Sequence, residues 1–547
     1  MTVPAVINGQ ILPGDVDRYR LHALEGQHMV VAVSARRLIP YLADAVPGWF
    51  QATVSLSHAD GGEVAYSDDF RFHPDPVLHC EIPEEGEYII EVKDALFRGR
   101  EDFVYRIAVG ELPFVTGIFP LGARAGTTPT PVVSGWNVPT TAPVQGPLTP
   151  GRRPISVESN GLISNEVPFD IDVLPECHDR EPNNDQASAQ LIDFPTIVNG
   201  RVDAPKDADV FRLECPVGAR ITVEVLARRL NSPLDSMLEL RTARGERIAF
   251  SDDWKDPSEG LVTHHADSRL TAIVPEDGVC YVRLWDAQGQ GGTECAYRLR
   301  IDVARPDSEL RVVPSTLNAR AGTTVPLTVH ALRTDGFMGE IDLRLKSAPA
   351  GFALAGARVP AGEDVVHLTL TVPSSSLPEP VALSVEGIAK IDGQTTVRSA
   401  VPADDRMQAF IYRHLVPAED LLVSVLGPPR RFSVDIPEAD VVEIPVGGTV
   451  RVPASVPPAC FFGAVELELD TPPTGITLVS ATLDTDDGEL VLAANAQTVR
   501  PGQAGNLVIQ AFGVRTEEDS GRGKEQRKKR RILLTALPAI PFMIVED

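Results

Sequence analysis

An internal repeat constrains this chain more than any other feature, because a scaffold used twice requires at least two separate cores. The stretch "INGQILPGDVDRYRLHALEG" from Ile7 returns as "VNGRVDAPKDADVFRLECPVG" from Val198. "VSARRL", ending at Leu38, returns as "VLARRL", ending at Leu230, and "GGEVAYSDDF" returns as "RGERIAFSDDW". "IPEEGEYIIEVKDA" and "EDFVYRIAV" are matched by "VPEDGVCYVRLWDA" and "TECAYRLRI". Leu38 to Ser67 is longer than Leu230 to Ser251, while Ser67 to Pro83 is shorter than Ser251 to Pro275. The two copies therefore share strands and differ in loop length.

Inside each copy, apolar and polar residues alternate, as in "ARITVEVLA" and "YVRLW". Period two puts one face of a strand on a core and the other in water. Asp60-Gly61-Gly62 and Arg244-Gly245 supply turn chemistry between strands. A weaker repeat follows: "AGTTVPLTVHALRTDGFMGEIDLRL" from Ala321 resembles "VGGTVRVPASVPPACFFGAVELEL" from Val446. The expectation is all-β: tandem antiparallel β-sandwiches in an elongated multi-domain chain. The predicted domains are 1–110, 111–175, 176–304, 305–428 and 429–547, the second a small one containing the extended proline-rich loop "NVPTTAPVQGPLTPGRRP".

Composition limits function more than fold. A formal charge of -26 over 547 residues argues against nucleic acid as a partner. No run approaches the roughly 18 to 20 apolar residues of a membrane helix. The six cysteines, at 80, 177, 215, 280, 295 and 460, form no CxxC pair, so zinc ligation is not expected and Cys80, Cys280 and Cys295 read as buried thiols. No HExxH, GxSxG, P-loop or GxGxxG pattern is present. The chain is expected to be no enzyme.

"EPNN" at Glu181, a strand, "NG", "DADVFRL" and the closing "PEDGVCYVRL" and "YRLRI" together resemble the bacterial pre-peptidase C-terminal domain. That family implies small jelly-roll-like sandwiches on exported bacterial proteins. The second copy covers the whole pattern; the first covers it from Val6, without the EPNN segment, which suggests a truncated start and an export signal upstream. "GIFPLGARAGTT" and "SGWNV" resemble IPT/TIG-type Ig-like domains, and the string of domains is similar to large exported planctomycete-type proteins.

The site of most interest is "DREPNNDQASAQ", Asp179 to Gln190. Calcium takes six to eight oxygens from carboxylates, amides and backbone. The resemblance implies calcium ligands at Asp179, Glu181, Asn183, Asn184, Asp207 and Asp209. The alternative is a turn fixed by Pro182, with Asn184 or Asp185 capping a short helix. The first copy keeps only Asp15 and Asp17. "SDD" at Ser67 and Ser251 is read as turn chemistry, and His264-His265 as a solvated loop. Tyr41, Trp49 and Phe50, in or beside the insert of the first copy, are a candidate contact surface. The basic run from Gly521 to Arg531 reads as a hairpin loop.

These readings predict a secreted or cell-surface binding or scaffold module, with calcium as the candidate stabilising ion. A protein or polysaccharide ligand at the cell surface is the expected partner. The alternative is the accessory region of a larger secreted peptidase or hydrolase.

Overall fold

The structure is a computed structural model. It describes residues 1–39, 49–144, 146, 148–263, 265–408, 412–429, 434, 441–455, 465–482, 488–518 and 527–546. The chain forms two units: Met1–Ala304 with Met407–Tyr412, and Arg305–Arg406 with Arg413–Asp547. Almost every element is a strand, and the exceptions among the described residues are the single 3-10 turns Arg228–Leu230 and Pro257–Glu259.

In the first unit the alternating pattern pairs antiparallel strands into two-layer sandwiches, as predicted. The first copy packs the sheet Ala5–Gln10, Val104–Gly110, His28–Ser34, Val77–Glu81 against the sheet Asp17–Ala23, Gly86–Asp94, Ala52–His58, Glu63–Ser67. Inward residues such as Val31, Val54, Ile90 and Ile107 are fully buried between them. The second copy has the same strands in the same order. Each of its sheets carries one further strand, Glu176–His178 on one and Gln190–Ile192 on the other, both parallel to their neighbours. The segment Asp179 to Ala189 therefore crosses from one layer to the other. This crossing positions the site described below.

Between the copies, the stretch Phe114–Asp172 forms short two- and three-stranded sheets over a core of Val115, Phe169 and Ile171. Leu226, Leu230 and Ala296 of the second copy complete that core. Fully buried Arg298 of the second copy binds Asp170 (2.7 Å), Glu176 (2.7 Å) and Asn199 (2.9 Å).

The second unit contains two further sandwich cores, one around Leu327, Val329 and Leu368, the other around Leu490, Leu492 and Ile509. In each, an early strand runs parallel to a late one: Thr316–Arg320 beside Leu421–Leu426, and Val442–Pro445 beside Ile540–Val545. Thr324 N–H donates to Thr535 Oγ1 (2.9 Å), and Asn506 Nδ2 donates to Gly356 O (2.7 Å), joining the two cores.

Candidate functional site

The site lies where the crossing segment meets the start of the strand Ala208–Glu214. Asp179, Glu181 and Asp209 each bring a carboxylate oxygen to within 4.8 Å of the others. Oxygens on opposite sides of one calcium ion stand about 4.8 Å apart at the usual 2.3–2.6 Å bond length. Asp209 is fully buried, Asp179 half-buried and Glu181 exposed, so the cluster opens to water on the Glu181 side. Asn183 is fully buried and donates from Nδ2 to Asp179 Oδ1 (2.6 Å). Two buried oxygens, Asn183 Oδ1 and Asp209 Oδ1, have no hydrogen-bond partner among the described residues. Orphaned buried acceptors are costly and call for a donor or a cation.

Electrostatics point the same way. Burial and then the Glu181 charge push Asp179 up to about 7. Burial and then the Asp179 charge push Asp209 up to about 9, against a hydrogen bond from Tyr297. Carboxylates this close favour a shared proton or a cation between them. The donor set, all oxygen and mostly anionic, fits a hard divalent cation.

Two further expected ligands are tied into the neighbouring loop. Asn184 is exposed and donates from Nδ2 to Asp207 Oδ1 (3.1 Å), while Asp207 Oδ2 accepts from Asp203 N–H (2.9 Å). Asp207 is not one of the three converging carboxylates, and both side chains brace the loop. The stretch after Asn184 is a turn and not a helix: Asp185 Oδ1 accepts from the N–H groups of Ala187 and Ser188, both at 2.9 Å. The cap in the sequence reading is thus real, and it sits beside the carboxylate cluster instead of replacing it.

Sequence reasoning missed Tyr297. Its hydroxyl donates to Asp209 Oδ2 (2.5 Å), and burial together with that carboxylate drives its acidity far down. Gly200 exists because of it: a Cβ there would sit 2.3 Å from the Tyr297 hydroxyl and 2.9 Å from Asp179 Cβ. The same pairing recurs in the first copy, where a Cβ on Gly9 would meet the Tyr105 ring at 2.2 Å. Tyr105 donates to Asp17 and shares a 2.6 Å hydrogen bond with the Tyr19 hydroxyl. Tyr19 stands where the second copy has Phe211. The recurring pairs Asn-Gly and Tyr-Arg in both copies were the available signal.

The contact surface divides. Trp49 is 40% exposed with the Arg36 guanidinium 5.9 Å from its ring centre. Phe50 is a core residue, stacked on Phe103 (5.2 Å) just before the strand Ala52–His58, and so is no contact residue. Tyr41 lies outside the described residues, as do His264, Cys460 and residues 521–526 of the basic run; the rest of that run is not loop but the start of the strand Arg527–Ala536. His265 is buried, not solvated: its Nδ1 accepts from Asp267 N–H (3.2 Å), and burial lowers its pKa to about 4. The insert of the second copy folds back over it, packing Trp254 edge-on at 6.3 Å. Asp252 and Asp253 of the second "SDD" approach Asp235, while Ser251 Oγ accepts from Arg269 N–H (3.1 Å).

No helix of the described residues is long and apolar enough to cross a membrane. No protein-family model matches the chain. A stretch of 139 residues, 24% of the chain, is 27% identical to a probable subtilase-type serine protease of Deinococcus radiodurans and spans 18% of that protein's length. Similar solved structures include Dpr2 Ig1-Ig2 in complex with DIP-Theta Ig1-Ig3, at 10% identity over 44% of this chain and 100% of that one, with a TM-score of 0.15. The D0-D1 domain of intimin is similar at 13% identity over 43% of this chain and 97% of that one, with a TM-score of 0.14.

Proposed function

We propose that the chain is a non-catalytic binding and spacing module of an exported protein, in which calcium clamps the second repeat at Asp179, Glu181, Asn183 and Asp209. The carrying observation is the convergence of three carboxylates with two buried, partnerless oxygens. All four residues sit on or against the segment that joins the two sheets, so a cation there ties the layers together at one end. Bound calcium would offset the burial and the like-charge repulsion that otherwise keep protons on Asp179 and Asp209. Within this reading the ligand is a protein or polysaccharide at the cell surface. Melting curves in calcium and in chelator test it. A rise in the first unit's melting temperature with calcium is expected, and superimposed curves contradict the clamp.

A second reading is favoured by the match to the Deinococcus protease: an accessory region of a larger secreted peptidase. It places the catalytic domain on adjoining sequence. Reading the gene on both sides decides between the two.

A further inference from the structure

The outer face of one sheet in the second copy differs in chemistry from its counterpart in the first. Outward positions are those whose strand neighbours are buried, and the register aligns them in rows. Arg247, Arg241, Tyr281 and Arg212 lie opposite one another across four strands, with exposed Leu191 next to Arg212. The next row runs Phe250, Glu239, Arg283 and Val210; the third holds Met237, Trp285 and Ala208. Phe250 is 41% exposed and stands 6.3 Å from Trp285 between ring centres.

Arginine and ring are already coupled on this face. The Arg283 guanidinium lies 4.7 Å from the Trp285 ring centre, and that of Arg247 lies 5.1 Å from Phe250. Cation–π seating holds a guanidinium in place while leaving its N–H edge free to bind. Arg241 and Arg247 share Glu239, and Arg212 pairs with Glu214. Among the described residues no carboxylate lies within ion-pair distance of Arg283.

The repeat supplies the control. At the corresponding positions the first copy has Glu91 for Arg283, Lys93 for Trp285, Glu63 for Arg247, Ser57 for Arg241 and Ile89 for Tyr281. There Arg18, Arg20 and Lys93 meet Glu63, Glu87 and Glu91, a balanced set. The second copy sets four arginines against Glu214 and Glu239. In a chain of charge -26, one scaffold has thus been used twice; both copies keep a ring at the Phe250 place, Tyr66 in the first, but only the second carries an excess of cations on this face and a tryptophan among them.

We propose that this face binds a sparsely charged acidic polysaccharide, Arg283, Arg247, Arg241 and Arg212 meeting its carboxylates and Trp285 and Phe250 its sugar rings. Charge complementarity requires an anion, and guanidinium forks suit carboxylates. The excess of two arginines suits one charge every few rings, not the dense charge of nucleic acid. A polypeptide would dock along a free strand edge or in a groove, whereas this is a pleated face whose central strands are paired on both sides. The proposal rests on the reading of the chain as a binding module and names its ligand class.

Surface plasmon resonance of the full chain over immobilised hyaluronan tests it, with neutral dextran, poly-L-glutamate and single-stranded DNA as comparison surfaces. Binding to hyaluronan alone is expected, equal in calcium and in chelator, and weakened at least tenfold by Trp285→Ala and by Arg283→Glu. Lys93→Ala, at the matching place in the first copy, leaves it unchanged. Unchanged melting of Arg283→Glu separates lost contact from lost fold. Absence of binding, equal retention on dextran, stronger retention on polyglutamate or DNA, or binding indifferent to both second-copy variants would overturn the proposal. Because the readout does not use calcium, it fails or succeeds independently of the calcium clamp.

Discussion

Among the described residues Arg298 is the largest side chain with no exposure at all, and it is held by two carboxylates and an amide oxygen. Removing one partner of such a cluster strands the others, at a cost of about 3–5 kcal/mol. Arg298→Met is therefore expected to destabilise the first unit by about that much in chemical denaturation, with part regained when Asp170→Asn is added. A second prediction concerns acidity. Asp179 and Asp209 keep protons in the folded, chelated protein that an unfolded carboxylate releases near pH 4. The native state then binds more protons than the unfolded state, so this contribution to stability is complete below about pH 4 and is lost as pH rises toward 7 and then 9. In chelator, Asp209→Asn should melt above the parent chain at pH 8 by on the order of 1–3 kcal/mol, with the gap closing near pH 4. Parallel curves across that range would contradict it. At this scale the family resemblance named Asp209, but nothing named its hydroxyl partner, because "AYRLRI" reads only as an alternating strand. The resemblance also expected Asp207 in the cluster. That residue precedes the strand, beside Lys206 in a left-handed turn, and its oxygens cap the loop.

At the scale of elements, both copies bend the "ARRL" stretch around one aspartate. Asp267 accepts from the backbone N–H groups of Ala227, Arg228 and Arg229 and from Arg229 Nε. Asp75 accepts from those of Ala35, Arg36 and Arg37. Asp267 is fully buried and paired with Arg229, whereas Asp75 is half-buried. Asp267→Asn is accordingly expected to cost about 3 kcal/mol or more and Asp75→Asn about 1–2 kcal/mol, read as shifts of denaturation midpoint. Equal costs would show that burial does not set the difference. The strands themselves were legible from period two, since Ile221, Val223 and Val225 face the core in alternation with Arg220, Thr222 and Glu224. The leading segment was legible only in part. A short helix was expected over "QASAQ", but Asp185 caps a single turn, and Gln190–Ile192 is drawn into a strand by pairing with Phe211, Arg212 and Leu213. Tertiary pairing overrode local propensity there. His265 shows the same limit from the other side: nothing local in "THHADS" announces the loop that folds over it.

For the whole molecule, the division into two units predicts two unfolding transitions in calorimetry, and calcium should move only the one that reports the first unit. A single transition moved as a whole would show the units to be thermodynamically coupled. The repeat made the sandwich architecture legible at this scale, whereas the sharing of Leu226, Leu230 and Ala296 with the small middle core depends on residues brought together only by folding. Isothermal titration of the chelated full chain with calcium, in two buffers of different ionisation enthalpy, tests the clamp most directly. A calcium clamp gives saturable binding lost in Asp209→Asn and kept in Asp17→Asn, with protons released on binding because Asp179 and Asp209 must ionise. Absence of heat, or a titration that Asp209→Asn leaves intact, would contradict it.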